Sequence, residues 1–566
     1  MGVKTGGLGL RSRARRATFA GALGLFIVLM ALGVLPTLTR SQDQEVAGSI
    51  HAAPRLEIPA KPGVLRLSFV GDILLGGTVG ELIDRDREGP LAPWLDVKDM
   101  LSTADLTCGN LECAVGTTGT PVPGKTWTFR AAPKSLEGLK AAGFDVVSFA
   151  NNHALDYGAE CLLEGVELVR NAGIGAIGAG ANDKAARQPY ILEKNGLKVG
   201  ILATTVVWPD ESWVASKDSP GLATDGWNWY PGIVASIKEL SLSVDVVVVV
   251  VHWGEERATE PVDWIMPIAK AMKDAGAHAV IGSHPHVLEG IYYDGRKVTA
   301  YSLGNFVFST RPDIPACQVG VILNLTVSKG KVEDVTVIPS RILWGKTVPC
   351  EGADRDGVLQ TMSSLSRPLG TDVGSRGDVV PLIFTDMNNH WARFAVGRLA
   401  VRGSITGYED GTFLPYHRCP KEEFAAMFAR GIASETDIGA APEREGFILC
   451  PKDSWAYPYL SFMASKSIIS PSDPNWVAGK PCTRLDACIC LWKHAGSPGA
   501  SVPASPQPPP HPETKDLDAM GVAAVTWAMS TGILRGYPDG SLKLADSISR
   551  AEVAEMLLRY LEGQGR

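Results

Sequence analysis

Six consecutive valines run into a histidine in 244-VDVVVVVVH-252. Alternate residues of a strand point to opposite faces, so this stretch offers neither face a polar group. β-branched side chains on both faces suit a strand buried on both sides, with layers packed above and below it. Similar apolar runs occur at 66-RLSFVGD-72, 105-DLTCGN-110, 144-FDVVSFA-150, 198-KVGILATT-205, 278-HAVIGS-283 and 298-VTAYSLGNFVF-308. Helical patterns such as 158-GAECLLEGVELVRNAG-173 and 263-DWIMPIAKAMKDAG-276 alternate with them. The alternation predicts a layered α/β domain over 65–345, with extra strands at 321-VILNLTV-327 and 332-VEDVTVI-338.

The polar residues of this domain fall at the carboxyl ends of the apolar runs, the edge on which open α/β sheets build their sites. Asp72 ends the first run, and Asn110 and Glu112 end the second. Asn151, Asn152, His153 and Asp156 follow the third, and His252 closes the valines. His284 and His286 stand either side of a proline in 279-AVIGSHPHVLEG-290, and Asn305 lies in 303-LGNFVF-308. A mixed set of Asp, Glu, Asn and His donors suits Mn, Fe or Zn better than Ca or Mg. One or two such ions are expected, with Glu112 as the candidate bridge. Lys125 and Arg130, in 124-GKTWTFRAAP-133, could meet an anionic substrate, or could be ordinary surface charge.

The chain has 566 residues, too many for one ordinary domain. Its net charge of −7 and the lack of a dense basic tract beyond the N-terminus argue against nucleic-acid binding. Arg11, Arg13, Arg15 and Arg16 precede an uncharged segment, 17–38, of about bilayer-crossing length. Residues 1–40 are therefore expected to be a basic tail with a transmembrane anchor or a signal peptide, and 41–64 a stalk. The ten cysteines of an exported chain point to structural disulfides plus some buried thiols. Residues 346–381, rich in Gly, Ser and Asp, are expected to be a linker.

Beyond the linker the chain repeats itself. The segments 403-GSITGYEDGTFLPYHRCPKEEF-424 and 532-GILRGYPDGSLKLADSISRAEV-553 match at a constant offset, and 482-CTRLDA-487 marks a weaker copy between them. The copies are placed at 382–435, 448–496 and 514–566, with a Pro-rich spacer over 497–513.

The strings 70-VGDILLGG-77, 109-GNLECAV-115, 148-SFANNHALDYG-158, 250-VVHWGEE-256, 280-VIGSHPHVLEG-290 and 301-YSLGNFVF-308 resemble the capsule poly-γ-glutamate biosynthesis protein CapA family. That family is similar to the calcineurin-like metallophosphatases, so the resemblance implies a four-layer α/β/β/α sandwich. It implies Asp72, Glu112, Asn152, His252, His284 and His286 as metal ligands, and His153 as the group that protonates a leaving group. Asn110, Lys125, Arg130 and Asn305 are then candidates for substrate contact. The resemblance has one gap: the D-x-H of the first metallophosphatase motif is replaced by Asp72, Ile73 and Leu74.

The G-Y-x-D-G turns and the later basic-x-acidic stretches resemble S-layer homology domains. Three copies imply a mostly helical pseudo-trimer that binds secondary cell-wall polysaccharide, with Lys421, Arg484 and Arg550 as its anion-facing residues. The combined expectation is a cell-surface protein in a Gram-positive-type envelope. It would act on poly-γ-glutamate or another anionic polymer as a metal-dependent hydrolase. The alternative is a non-catalytic polyglutamate-binding or export subunit.

Overall fold

The computed structural model describes residues 62–228, 230–309, 312–442, 450–498 and 511–564. The basic tail, the apolar segment 17–38 and nearly all of the stalk, and with them the expected anchor or signal peptide, lie outside the described residues. Among the described residues no helix is long and apolar enough to cross a membrane.

Two sheets stack face to face. The first has eight strands, in the order Lys346–Pro349, Lys331–Leu343, Val319–Ser328, Val64–Ile73, Leu106–Leu111, Val146–Ser148 and Gly175–Ile177, with Asn305–Val307 also pairing with Val64–Ile73. The second has six: Ile291–Tyr293, Val298–Ala300, Ala279–Ser283, Val246–His252, Leu197–Thr205 and Tyr190–Lys194. The valine run lies inside the second sheet, between two parallel neighbours. Val246, Val248 and Val250 face the core between the sheets, with Leu65, Leu67 and Phe69. Val247, Val249 and Val251 pack under the helices Pro231–Ser241 and Ile265–Ala275, against Ile237, Ile268 and Met272. The outer face of the first sheet is covered by Gly77–Arg85, Ser135–Ala141 and Gly158–Asn171 through Val79, Leu139 and Val166. The result is the four-layer α/β/β/α sandwich, and each fully buried valine contributes about 1.5–3 kcal/mol.

The stretch 298–308, expected to be one strand, is two strands in different sheets. Val298–Ala300 belongs to the second sheet, and Asn305–Val307 joins the first as the parallel partner of Val64–Ile73. The crossing brings backbone against backbone. A Cβ on Gly71 would sit 1.8 Å from the Gly304 carbonyl oxygen, which in turn accepts from the Asp72 amide at 3.1 Å. Only glycine fits position 71, and the contact ties the end of the first strand to the crossover.

Residues 346–381 are not a linker. Lys346–Pro349 extends the first sheet, and the helix Gly352–Ser366 places Val358, Leu359 and Met362 in the core between the sheets. A hairpin, Thr371–Val373 with Val379–Pro381, follows. Gly352, Asp354, Asp356 and Ser364 lie on the exposed side of the helix, whereas Ser366 and Asp372 are fully buried. Nor are there disulfides: all ten cysteines are buried free thiols. Buried thiols in apolar surroundings behave as small core residues.

The C-terminal region is helical around one apolar core. Along the chain its main helices form successive pairs, Arg393–Val401 then Lys421–Ile432, Tyr457–Ser465 then Arg484–His494, and Ala519–Ser530 then Arg550–Gly563. They pack across these pairs: Lys421–Ile432 on Tyr457–Ser465, Arg484–His494 on Ala519–Ser530, and Arg550–Gly563 on Arg393–Val401. The second helix of each pair opens on Lys421, Arg484 or Arg550. Just before these openings three backbone amides form a closed ring. Cys419 N donates to Ile548 O (2.8 Å), Ile548 N to Cys482 O (2.8 Å), and Cys482 N to Cys419 O (2.9 Å).

The basic residues repeat the same rotation. Lys421 Nζ lies 3.2 Å from Asp486, Arg484 Nη1 lies 2.7 Å from Glu552, and Arg550 pairs with Glu423. Each also lies 4.9 Å from an aromatic centroid: Trp476, Tyr537 and Tyr408 respectively. Arg484 further donates to the Leu542 and Arg535 carbonyls, and Arg550 to those of Phe413 and Thr406. All three basic residues are buried, with their charge engaged by acids on other helices. That is a different task from the wall-polysaccharide contact expected of them, although Arg484 also lines an open cleft.

Glu552 is further held by Tyr537 and by the Ser549 capping box. Burial pushes its carboxyl up, but the bonds from Tyr537 and Ser549 and the Arg484 charge outweigh this and keep it below the ordinary glutamate range. The pair therefore stabilises the fold above that range and fades on acidification through it. Arg484→Met strands the buried carboxylate, at a cost of about 3–5 kcal/mol. Scanning calorimetry of the full chain at neutral pH is expected to show the C-terminal transition about 10 °C lower, and less shift at about pH 4.

Candidate metal centre

The strand register assembles the centre. Asp72 is aligned with Asn305 on one side and Asn110 on the other, and His252 with Thr205 and Ser283. Both sheets thus deliver polar residues to one edge. Glu112 leaves the strand Leu106–Leu111 and is tied by its amide to the Ile73 carbonyl at 2.8 Å.

Two donor clusters share Glu112. Asp72, Glu112 and His252 present ligand atoms within 4.8 Å of one another, as do Glu112, His284 and His286. His252 Nε2 is 3.5 Å from Glu112 Oε1 and 2.9 Å from Asn152 Oδ1. His286 lies between the carboxylates, with Nδ1 3.3 Å from Asp72 Oδ2 and Nε2 3.8 Å from Glu112 Oε1. The six expected ligands therefore converge. Both Glu112 oxygens and His284 Nδ1 are buried with no hydrogen-bond partner. Buried polar groups are normally satisfied, so orphaned acceptors pointing into a nest of N and O donors fit a divalent cation.

The backbone supports this assignment. His284 and His286 both hold positive φ, 99° and 59°, a conformation costly for residues with a Cβ. Such strain persists where the surroundings over-determine it. Here the His284 amide donates to Asp72 Oδ2 at 3.2 Å, and Pro285 O accepts from the Arg257 amide at 2.8 Å.

A second ring of side chains aims the ligands. Asn110 Nδ2 donates to Asp72 Oδ1 at 2.8 Å, while its Oδ1 accepts from Asn151 at 3.1 Å. Asn305 Oδ1 faces His286 Nδ1 at 2.9 Å, and its Nδ2 donates to Cys317 O at 2.8 Å. Both asparagines are buried with both amide ends occupied, so they position ligands rather than contact substrate. Ser283 Oγ, 3.1 Å from His252 Nδ1, fixes that ring so that Nε2 faces the centre. Sequence reasoning passed over Ser283, an ordinary strand residue with no signal of its own.

His153 sits beside the ligand Asn152, its ring 4.8 Å from that of Phe129. Its Nδ1 is 2.7 Å from Asp156 Oδ2, leaving Nε2 as the outward nitrogen. Asp156 is wholly buried and also accepts from the Phe129 amide at 2.6 Å. This His–Asp pair, with the orienting carboxylate three residues on, was visible as N-H-x-x-D. Lys125 reaches the same place: its Nζ pairs with Asp156, bonds Asn152 O and lies 3.3 Å from His153 Nδ1. Arg130 does not. Its guanidinium bonds Thr118 O at 3.1 Å and lies 4.2 Å from the Tyr157 ring, which is where its charge is used.

Charge in the centre is unevenly held. Burial drives the Glu112 carboxyl well up, and the Asp72 charge adds to this. For Asp72 burial also raises, but hydrogen bonds and charge from His286, with Asn110, win and keep it low. Burial lowers His252, as do the neighbouring histidines, and pushes His284 down to about 3. His286 goes the other way, to about 10: burial alone would lower it, but the Glu112 charge and the Asp72 bond outweigh that. Burial, the largest influence, holds His153 below the ordinary histidine range despite Asp156, which favours release of a proton carried at Nε2.

At the position of the missing histidine, Ile73 and Leu74 are fully buried in the apolar core beneath the helices. No side chain replaces the absent donor from that turn.

Residues 66–310 match the family model described as "Bacterial capsule synthesis protein PGA_cap", and 383–425 and 514–554 match that of the S-layer homology domain. The chain is 32% identical to "Capsule biosynthesis protein CapA" of Bacillus anthracis, over 43% of this chain and 60% of that protein. It is 34% identical to "PGA biosynthesis protein CapA" of Bacillus subtilis, over 43% and 63%. The chain thus spans about three-fifths of the length of these curated relatives. A solved structure of a hypothetical protein from Thermus thermophilus aligns at 17% identity and TM-score 0.32, covering 49% of this chain and all of that one. The chain thus joins a segment that matches the PGA_cap model to two later segments that match the S-layer homology model.

Proposed function

We propose that this is a wall-held, metal-dependent hydrolase of capsule biosynthesis or processing, with poly-γ-glutamate as its polymer. The observation that carries the reading is the buried, unpartnered carboxylate of Glu112 at the meeting point of Asp72, Asn152, His252, His284 and His286. Those six residues would hold one or two ions of Mn, Fe or Zn. A bound ion supplies Lewis acidity and a water activated near neutral pH. The chain's own residues do the rest. His153, held by Asp156 at Nδ1, presents Nε2 to protonate the leaving group. Lys125 pairs with Asp156 and steadies the Asn152 carbonyl, so the loop carrying ligand and acid moves as one unit. The capsule context comes from the similarity to the CapA proteins of the two bacilli.

A third S-layer homology copy at 448–496 completes the reading of the C-terminal region. Its helix pair, its place in the amide ring and the Arg484–Glu552 pair support it. The wall polysaccharide would bind the cleft of about 690 Å³ that includes Trp391, Tyr416, Arg484, Arg535 and Arg559. Guanidinium groups beside exposed rings suit an anionic sugar.

One observation favours a second reading, a polyglutamate-binding or export subunit that does not cut. Ile73 and Leu74 leave one metal position a ligand short, and a polymer carboxylate could complete it.

The full chain, supplemented and desalted, is expected to retain at least one Mn, Fe or Zn; elemental analysis below about 0.2 metal per chain sinks the centre. Glu112→Gln should lower retention of that metal by about 10–100-fold. Because His286 holds its proton until about 10 in the metal-free chain, loading near pH 7 should release about one proton. Affinity should then rise from about pH 6 to about pH 9; titration in buffers of different ionisation enthalpy measures both. With poly-γ-glutamate and a generic phosphodiester as substrates, His153→Ala should cut kcat about 10²–10⁴-fold with metal content unchanged. Polymer binding without turnover, equal in both proteins, establishes the second reading instead.

A further inference from the structure

Large aromatics stand exposed around the metal edge, and neither the ligands nor His153 need them. The loop after Leu197–Thr205 starts against a metal ligand: the Val206 amide donates to the His252 carbonyl at 3.0 Å. Within that loop Trp213 is buried, with Lys125 Nζ 4.9 Å from its ring centroid, and Lys125 in turn bonds Asn152. The loop therefore borders the centre at two points. Trp208 and Trp227 project from it as an edge-to-face pair, centroids 5.6 Å apart, with Trp227 77% exposed. On the segment of Lys125, Trp127 is 65% exposed, two residues after Lys125 and two before Phe129, whose ring lies against His153. Indole rings left in water beside a polar centre lose the burial that normally stabilises them, and such patches mark binding surfaces.

The charge around these rings selects the ligand. The same loop carries Asp210 and Glu211, and the loop after His252 carries Glu255 and Glu256, the latter close enough for its charge to act on Glu112. Against them stand Lys217, next to Asp218 on the same loop, Arg257, beside Glu256, and Lys125, already paired with Asp156. Acidic residues on these two loops repel a polyanion from the rings themselves, so polyglutamate would reach the centre from another side. Flat aromatic faces with carboxylate acceptors instead suit a sugar, whose C–H face stacks on indole while its hydroxyls donate to carboxylates.

We infer that the Trp208–Trp227 pair, with Trp127 on the neighbouring Lys125 segment, forms a subsite next to the metal centre for an uncharged pyranose glycan chain. The subsite is separate from the repeat cleft and does not require that polyglutamate be cut. In its place the glycan would lie within reach of whatever group the metal centre handles.

The test is calorimetric titration of the full chain with the N-acetylglucosamine tetramer. Wild type is expected to bind, W208A/W227A to lose affinity by about tenfold or more, and W391A, in the repeat cleft, to keep it. Trp227 is exposed and Trp208 half-buried, so an unchanged melting profile and metal content, with W227A alone as the milder variant, will confirm the fold. No binding by wild type up to about 5 mM overturns the inference. So does equal binding by W208A/W227A, or loss in W391A alone, which assigns the sugar to the repeats. Weakening of poly-γ-glutamate binding by W208A/W227A, with the tetramer unaffected, overturns it too. Metal content and polymer turnover are read independently, so failure here leaves the hydrolase reading as it stands.

Discussion

Glu112 is a wholly buried carboxyl with neither oxygen hydrogen-bonded, next to a second buried carboxylate, Asp72. Leaving one buried acceptor unsatisfied costs about 1–3 kcal/mol, and charge makes it worse. The protein meets this in the metal-free state by keeping His286 protonated between the two acids. A single imidazolium cannot satisfy Glu112, Asp72 and the orphaned His284 Nδ1 together. The strained backbone at His284 and His286, the Asn110 and Asn305 clamps and the Gly71–Gly304 contact all keep these groups close against their mutual repulsion. The fold therefore gives up stability to a geometry from which a divalent cation would recover it, so metal binding and folding of this edge are coupled.

What makes the edge possible is the sandwich itself. The valine strand fixes the second sheet from both faces, because alternate valines belong to different cores. The first sheet meets it across the shared core, and the crossover between Val298–Ala300 and Asn305–Val307 ties the two together where the ligands emerge. Ligands 212 residues apart, Asp72 and His284, then meet without a long loop from either side.

The strands, their burial and the convergence of the six candidate ligands were legible because their signals are local: apolar runs, each closed by a polar residue. The roles of Asn110 and Asn305 were not, since a strand-end asparagine looks the same whether it faces substrate or a ligand. Position 346–381 was misread because composition was weighed above spacing; Val358, Leu359 and Met362 lie on one helical face among polar neighbours. The cysteines were misread from the cellular compartment, while their apolar settings lie in the fold. In the repeats, Lys421 and Glu423 sit two apart, as do Arg484 and Asp486, and Arg550 and Glu552. Residues two apart on a helix do not face one another. That spacing already implied partners on other helices, and the structure supplies them in cyclic order.

The same arithmetic of charge joins the two halves of the chain. Arg398, on the first helix of the repeats, bonds Asp378 of the hairpin and lies 3.0 Å from Asp334 on the long strand Lys331–Leu343. Arg376 of the hairpin lies 3.1 Å from Glu562 on the last helix. The residues expected to be a flexible spacer are thus the seam, with Val379 and Val373 anchored in the sandwich core. The partly buried Arg398 pairs resist rotation better than a tether, because turning one half would strand that charge. A wall-bound repeat region would then hold the metal edge, and the tryptophans around it, in a fixed attitude to the surface.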